Sequence, residues 1–148
     1  IESGVWHGIT SCVVAKAIMK NKAEGYSGYY TGIDTLKDAG HLFNPPYSSH
    51  GQIIINSFDK ELASIEGPVD LFIHDSAHET DFRRASIDYN GILPKLSDQG
   101  IILTWTTPDT LMNVSRGSDR NYLHFHSKSN NPIIPDGRIG FSFKRKDR

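Results

Sequence analysis

Short runs of β-forming residues alternate along this chain with stretches of helical spacing, and that alternation limits its folds more than any other feature. Ile1-Glu2-Ser3-Gly4 reads as the end of a strand entering a glycine turn. A domain seldom begins there, so upstream residues are expected to be missing. Residues 9–22 predict a helix whose apolar face is Val13, Val14, Ala17 and Ile18. Residues 29–34 read as a strand ending on an acid, and Asn44-Pro45-Pro46 forbids a helix in the loop that follows. Residues 52–55 are a continuous apolar run, the pattern of a strand buried on both faces. A short helix over 58–65 follows, with Ser57 as its N-cap. A fourth strand over 69–73, a helix over 77–93 closed by Pro94 and a fifth strand over 101–105 continue the alternation. Residues 122–126 and 138–144 are expected to pair as an antiparallel hairpin, with turns marked by Asn130-Asn131-Pro132 and Pro135-Asp136-Gly137. The whole predicts one α/β domain over residues 1–148: a doubly wound, mostly parallel sheet with helices on both faces and an antiparallel C-terminal hairpin.

Sheets of this kind bind ligands beyond the carboxyl ends of their strands. Those ends carry Glu2-Ser3-Gly4, Asp34, Asn56-Ser57, Asp75 and Thr104-Trp105. A glycine after the first strand lets backbone approach a ligand, and the next helix offers free N–H groups to an anion. Glu2-x-Gly4-x-x-x-Gly8 differs from the dinucleotide fingerprint, because the bulky Val5, Trp6 and His7 stand between its glycines. Asp34 closes the second strand, where a carboxylate can accept hydrogen bonds from both hydroxyls of a ribose. The alternative there is a loop acid or a cap for the next helix.

With these residues in place, the chain resembles the class I S-adenosylmethionine-dependent methyltransferases. The resemblance rests on residues 1–8, on Gly32-Ile33-Asp34 and on residues 69–78. Asp88, Pro94, Leu96 and Gly100-Ile101-Ile102-Leu103 continue the pattern. The nearest subgroup is the small-molecule enzymes with Asp-x-x-His after the fourth strand, here Asp75 and His78. The resemblance implies a Rossmann-like fold and S-adenosylmethionine as cofactor. Glu2 and Gly4 would shape the pocket for its methionine part, with Gly8 and Thr10 near its carboxylate. Asp34 would hold the ribose, and Asn56 and Ser57 would border the adenine. Asp75 would face the cofactor amino group or the reacting centre. His78 is a candidate general base, or else a helix-start histidine bonded to Asp75. His74 reads as a satisfied core residue. Relatives that use magnesium carry an acid after strand five. Here Leu103-Thr104-Trp105-Thr106-Thr107 has none, which tells against magnesium dependence, and no metal site is assigned.

The expected function is therefore methyl transfer to a small-molecule acceptor, at oxygen. A non-catalytic or partner-dependent S-adenosylmethionine-binding domain is the alternative. A nicotinamide-dependent oxidoreductase ranks below both, for want of a third glycine. With 16 Lys and Arg against 17 Asp and Glu, net charge is −1, and neither nucleic acid nor an anionic membrane is an expected partner. Homo-oligomerisation stays open. One cysteine, Cys12, and no apolar run of membrane-spanning length suit a cytoplasmic protein.

Overall fold

The computed structural model describes residues 1–76, 82–105, 108–116, 118–127 and 137–144. The chain divides into two compact units, Ile1–Glu61 and Leu62–Arg148.

In the first unit, β1 (Glu2–Ser3) leads through a glycine loop into α1 (Ile9–Ala23), followed by β2 (Tyr30–Asp34), β3 (Gly51–Ile55) and α2 (Phe58–Glu61). The strands are parallel in the order β3-β2-β1, with Glu2 opposite Gly32 and Asp34 opposite Ile55. A single 3-10 turn at Tyr47–His50 follows the prolines. The core gathers Ala15, Tyr30 and Phe43, with Cys12, Val14, Ile18, Tyr47 and Ile53 around them.

The face α1 buries matches the expected apolar face only in part: Val14 and Ile18 pack on the core, whereas Val13 and Ala17 do not. Ser11 and Ala15 are the buried positions, while Val13 is 65% exposed and Ala17 is also exposed. Small side chains at i and i+4 let the helix lie close to the strands, and Ser11 brings a hydroxyl that the site uses. β3 is a second correction. It is the outer strand of its group, so Gln52 and Ile55 are exposed although the run reads as doubly buried. The helix after Ser57 ends at Glu61, short of the expected residue 65.

In the second unit, β4 (Val69–His74), α3 (Phe82–Ile92), β5 (Leu96–Thr104), α4 (Pro108–Arg116), β6 (Arg120–Ser127) and β7 (Gly137–Lys144) follow in order. β4 and β5 are parallel, while β7 runs antiparallel between β5 and β6. The C-terminal hairpin is thus as expected, whereas α4 has no counterpart in the sequence reading. The turns at residues 130–132 and 135–136 lie outside the described residues, as does the expected start of α3. Phe72, Tyr89, Ile92, Ile102 and Leu111 are fully buried. No helix among the described residues is long and apolar enough to cross a membrane.

Candidate functional site

The loop between β1 and α1 is held by a single carboxylate. Gly4, at φ 87°, turns the chain off the strand while its N–H donates to the Ile33 carbonyl at 2.9 Å. The next two amides, of Val5 and Trp6, donate to Asp34 Oδ2 at 2.7 and 2.9 Å. Asp34 Oδ1 accepts from the Leu36 amide at 2.9 Å. One carboxylate therefore fixes both the glycine loop and the turn after β2. A carboxylate has about four acceptor sites, so roughly one stays open, on Oδ1.

Residues 40–42 clasp the same loop from outside. Gly40 N–H donates to the Trp6 carbonyl at 2.6 Å, and Leu42 N–H donates to His7 at 3.1 Å. The His7 ring also meets His41 edge-on at 4.8 Å. Gly8, at φ 88°, completes the turn, and a Cβ there would lie 3.0 Å from Gly40 Cα. Trp6 is the one non-glycine residue with positive φ, 47°, among the described residues. Such a backbone costs on the order of 1–3 kcal/mol, which the bonds on either side of it offset. The result is a helix entry with no side-chain cap at Gly8. The first N–H groups of α1 have no acceptor within the helix and remain available to an anion. Thr10 sits in this first turn, half-buried.

Glu2 lies beneath the loop and is buried. Its Oε2 accepts from Ser11 Oγ at 3.0 Å and from the Tyr30 hydroxyl, and those two hydroxyls are 2.7 Å apart. Burial and the adjacent Glu2 carboxylate push the Tyr30 phenol far above its ordinary range. This bracket ties β1, α1 and β2 together, so Glu2 shapes the loop from the core side. Ser11 and Tyr30 were missed in the sequence; the polar Ser11 on the inner face of α1 was the available signal.

At the end of β3, Asn56 N–H donates to the Asp34 carbonyl at 2.9 Å. Its side chain is engaged at both ends: Nδ2 donates to Glu61 Oε1 at 2.5 Å and Oδ1 accepts from Ser57 N–H at 2.9 Å. Ser57 caps α2 through its carbonyl, which accepts from Lys60 and Glu61. Its hydroxyl has no partner among the described residues. The structure thus brings Gly4, Gly8, Thr10, Asp34, Asn56 and Ser57 to the strand ends of the first unit, with Glu2 below.

In the second unit, His74 is fully buried at the end of β4. Its Nε2 lies 3.1 Å from Asp88 Oδ2 and 3.2 Å from Ser76 Oγ, and its Nδ1 lies 3.2 Å from the Tyr89 hydroxyl. Tyr89 donates onward to Thr104 Oγ1 at 2.9 Å, and Thr104 donates to the His74 carbonyl at 3.2 Å. The core role expected of His74 is what this network shows. Asp75 follows on the exposed strand end, and Trp105 is exposed after β5. His78 lies outside the described residues. No group of three His, Cys, Asp or Glu placed to hold a metal occurs among the described residues.

A family model described as a methyltransferase domain matches residues 1–104. No curated protein sequence matches the chain. Among solved structures, an rRNA methylase from Streptococcus thermophilus superposes with TM-score 0.70 at 12% identity, over 97% of this chain and 85% of its own. The O-methyltransferase TomG from Streptomyces achromogenes, involved in tomaymycin synthesis and solved with S-adenosylmethionine, gives TM-score 0.71 at 12% identity over 98% of this chain and 72% of its own. An S-adenosylmethionine-dependent O-methyltransferase from Thermotoga maritima gives TM-score 0.65 at 14% identity over 99% and 59%. At such identities the likeness is one of fold, and the family assignment rests on the match over 1–104. The chain therefore belongs to the methyltransferase-domain family, as a class I S-adenosylmethionine-dependent methyltransferase with the Rossmann-like, mostly parallel fold of that class.

Proposed function

We propose that residues 1–148 act as one domain that methylates a small-molecule acceptor at oxygen, in the cytoplasm. The observation that carries the cofactor half of this reading is the loop from Gly4 to Gly8, stapled by Asp34 and ending in an uncapped helix N-terminus. When bound, S-adenosylmethionine supplies an electrophilic methyl group on a cationic sulfur. The residues of the first unit fit it. The free N–H groups after Gly8, with Thr10, receive its carboxylate. Asp34 accepts one ribose hydroxyl through the open site on Oδ1, rather than both. Asn56 backbone and the free Ser57 hydroxyl border the adenine. From the family resemblance, Asp75 is assigned to the cofactor ammonium or the reacting centre, and His78 to the proton of the acceptor hydroxyl. In-line transfer relies chiefly on holding sulfur, methyl and oxygen aligned, so these residues orient the reactants and remove a proton.

The net charge of −1 supports a small acceptor over the ribosomal RNA of one structural neighbour. A second reading, a cofactor-binding domain without catalysis or dependent on a partner, is favoured by the absence of an acid in Thr104-Trp105-Thr106-Thr107, where β5 ends at Thr104. Incubation with labelled S-adenosylmethionine across phenolic, carboxylic and ribosomal-RNA acceptors separates them. Labelled small-molecule ether or ester supports the proposal. Label in RNA contradicts it, and cofactor binding with no labelled product favours the second reading.

A further inference from the structure

Arg120 is a buried cation whose described partners are all neutral. It begins β6 at 6% exposure. Its Nε donates to Ser142 Oγ at 3.0 Å, and its Nη2 donates to the carbonyls of Gly100 at 2.6 Å and Ser142 at 2.9 Å. Ser115 Oγ, on α4, donates to the same Ser142 hydroxyl at 2.7 Å. A guanidinium has five N–H donors. Those on Nη1 have no acceptor among the described residues. Nη1 is not among the buried unpartnered atoms, so it is the accessible part of the guanidinium, and an anion placed there would offset the loss of water around the rest of the charge. Among the described residues, the carboxylate that acts on it is that of the exposed Asp119, just before it in sequence, and burial still lowers the Arg120 pKa.

Arg120 also lines a cavity of about 340 Å³. Its walls are Met112, Ser115 and Arg116, one face of α4, together with Arg120, Asn121 and Tyr122 from β6. That volume falls at the lower end of the roughly 300–1,000 Å³ of small-molecule sites. Two arginines, an amide and two hydroxyls share the lining with a thioether and an aromatic ring, a set suited to an anion on a small organic body. The cavity lies away from the strand ends that carry Asp75 and Trp105. β6 runs parallel to β5, because each is antiparallel to β7. The cavity therefore sits where β6 enters, while Thr104-Trp105 marks where β5 leaves.

We propose that this cavity is a second binding site, for a small ligand whose carboxylate or phosphate is received by Arg120 and Arg116. Arg116 is exposed at the end of α4, so Arg116→Gln removes one charge without touching the core. The test is a titration of the full chain, ¹⁵N-labelled at arginine, with phenyl phosphate and with benzoate at constant ionic strength. Saturable shifts of the Arg120 Nε–H resonance by either probe, with affinity at least tenfold weaker in Arg116→Gln, support the site, and the probe preferred says which anion it takes. Arg120→Lys, which keeps charge but loses the fork, should weaken binding as well; if it fails to fold, Arg116→Gln alone decides. Shifts that do not saturate, that chloride reproduces, or that persist unchanged in Arg116→Gln would overturn it. Displacement of the probe by S-adenosylhomocysteine would overturn it too, by showing that the probe had entered the cofactor's own place.

Discussion

At the scale of single residues, the shape of the glycine loop turns on what Asp34 does with its roughly four acceptor sites. Three serve the protein's own backbone: Val5 and Trp6 on Oδ2, and Leu36 on Oδ1. Asp34→Ala should lower S-adenosylmethionine affinity at least tenfold, about 1.4 kcal/mol by calorimetric titration. It should also loosen the loop, lowering the urea midpoint of the free protein. Asp34→Asn retains one acceptor oxygen and should lose less of both. An effect on affinity with no change in the free protein's stability would mean the staple contributes nothing. Tyr30 makes a separate prediction. Tyr30→Phe removes a donor from buried Glu2 and should cost about 1–3 kcal/mol at neutral pH, read from urea unfolding. Asp34 was legible in sequence as the acid closing a strand, but its bonds to Val5 and Trp6 span 29 and 28 residues and leave no local pattern. Glu2 was legible as a motif position and not as a core group, because burial is set by Ser11 and Tyr30 from other elements.

At the scale of elements, the strand-helix alternation was readable because β3, β4 and the end of β5 are apolar runs set off by glycine or a polar residue. Which side of an element faces inward was readable only in part: Val14 and Ile18 of the expected face of α1 do pack on the core. Apolar Val13 and Ala17 are exposed on α1, while Ser11 and Ala15 face the strands, because close packing selects for small size over apolarity. The extent of β3 was readable to within a residue but its edge position was not, since strand order is a property of the sheet. α4 went unseen because its nine residues mix Thr, Asn, Ser and Asp among few apolar positions. The entry of α1 carries its own prediction. Gly8→Ala places a Cβ at positive φ and 3.0 Å from Gly40 Cα. The left-handed backbone alone costs roughly 1–2 kcal/mol for an alanine. The variant should unfold at lower urea and bind cofactor more weakly, whereas Lys16→Ala, on the exposed side of the same helix, should change neither. Equal behaviour of the two variants would mean the clasp by residues 40–42 does not shape the loop.

At the scale of the whole molecule, buried phenols make stability depend on alkaline pH. Burial and Glu2 raise the Tyr30 pKa, and burial with the charge of Asp109 pushes Tyr122 up to about 12. A phenol whose folded pKa lies above its unfolded value, about 10, holds its proton more tightly in the folded state. That stability is fully present below about pH 10 and is lost as pH rises through the folded values. Urea unfolding should therefore show stability falling above pH 10, and less steeply in Tyr30→Phe; an equal slope would assign the loss elsewhere. The proposed reading has the first unit hold the nucleoside and amino-acid parts of S-adenosylmethionine, and the match over residues 1–104 and the geometry of the Gly4–Gly8 loop are its support. Calorimetric titration of the full chain with S-adenosylhomocysteine and, separately, with NAD tests that claim most directly. Saturable, one-to-one binding of S-adenosylhomocysteine that Asp34→Ala weakens at least tenfold is the expected result. Binding of NAD in preference, or equal binding by Asp34→Ala, would contradict it.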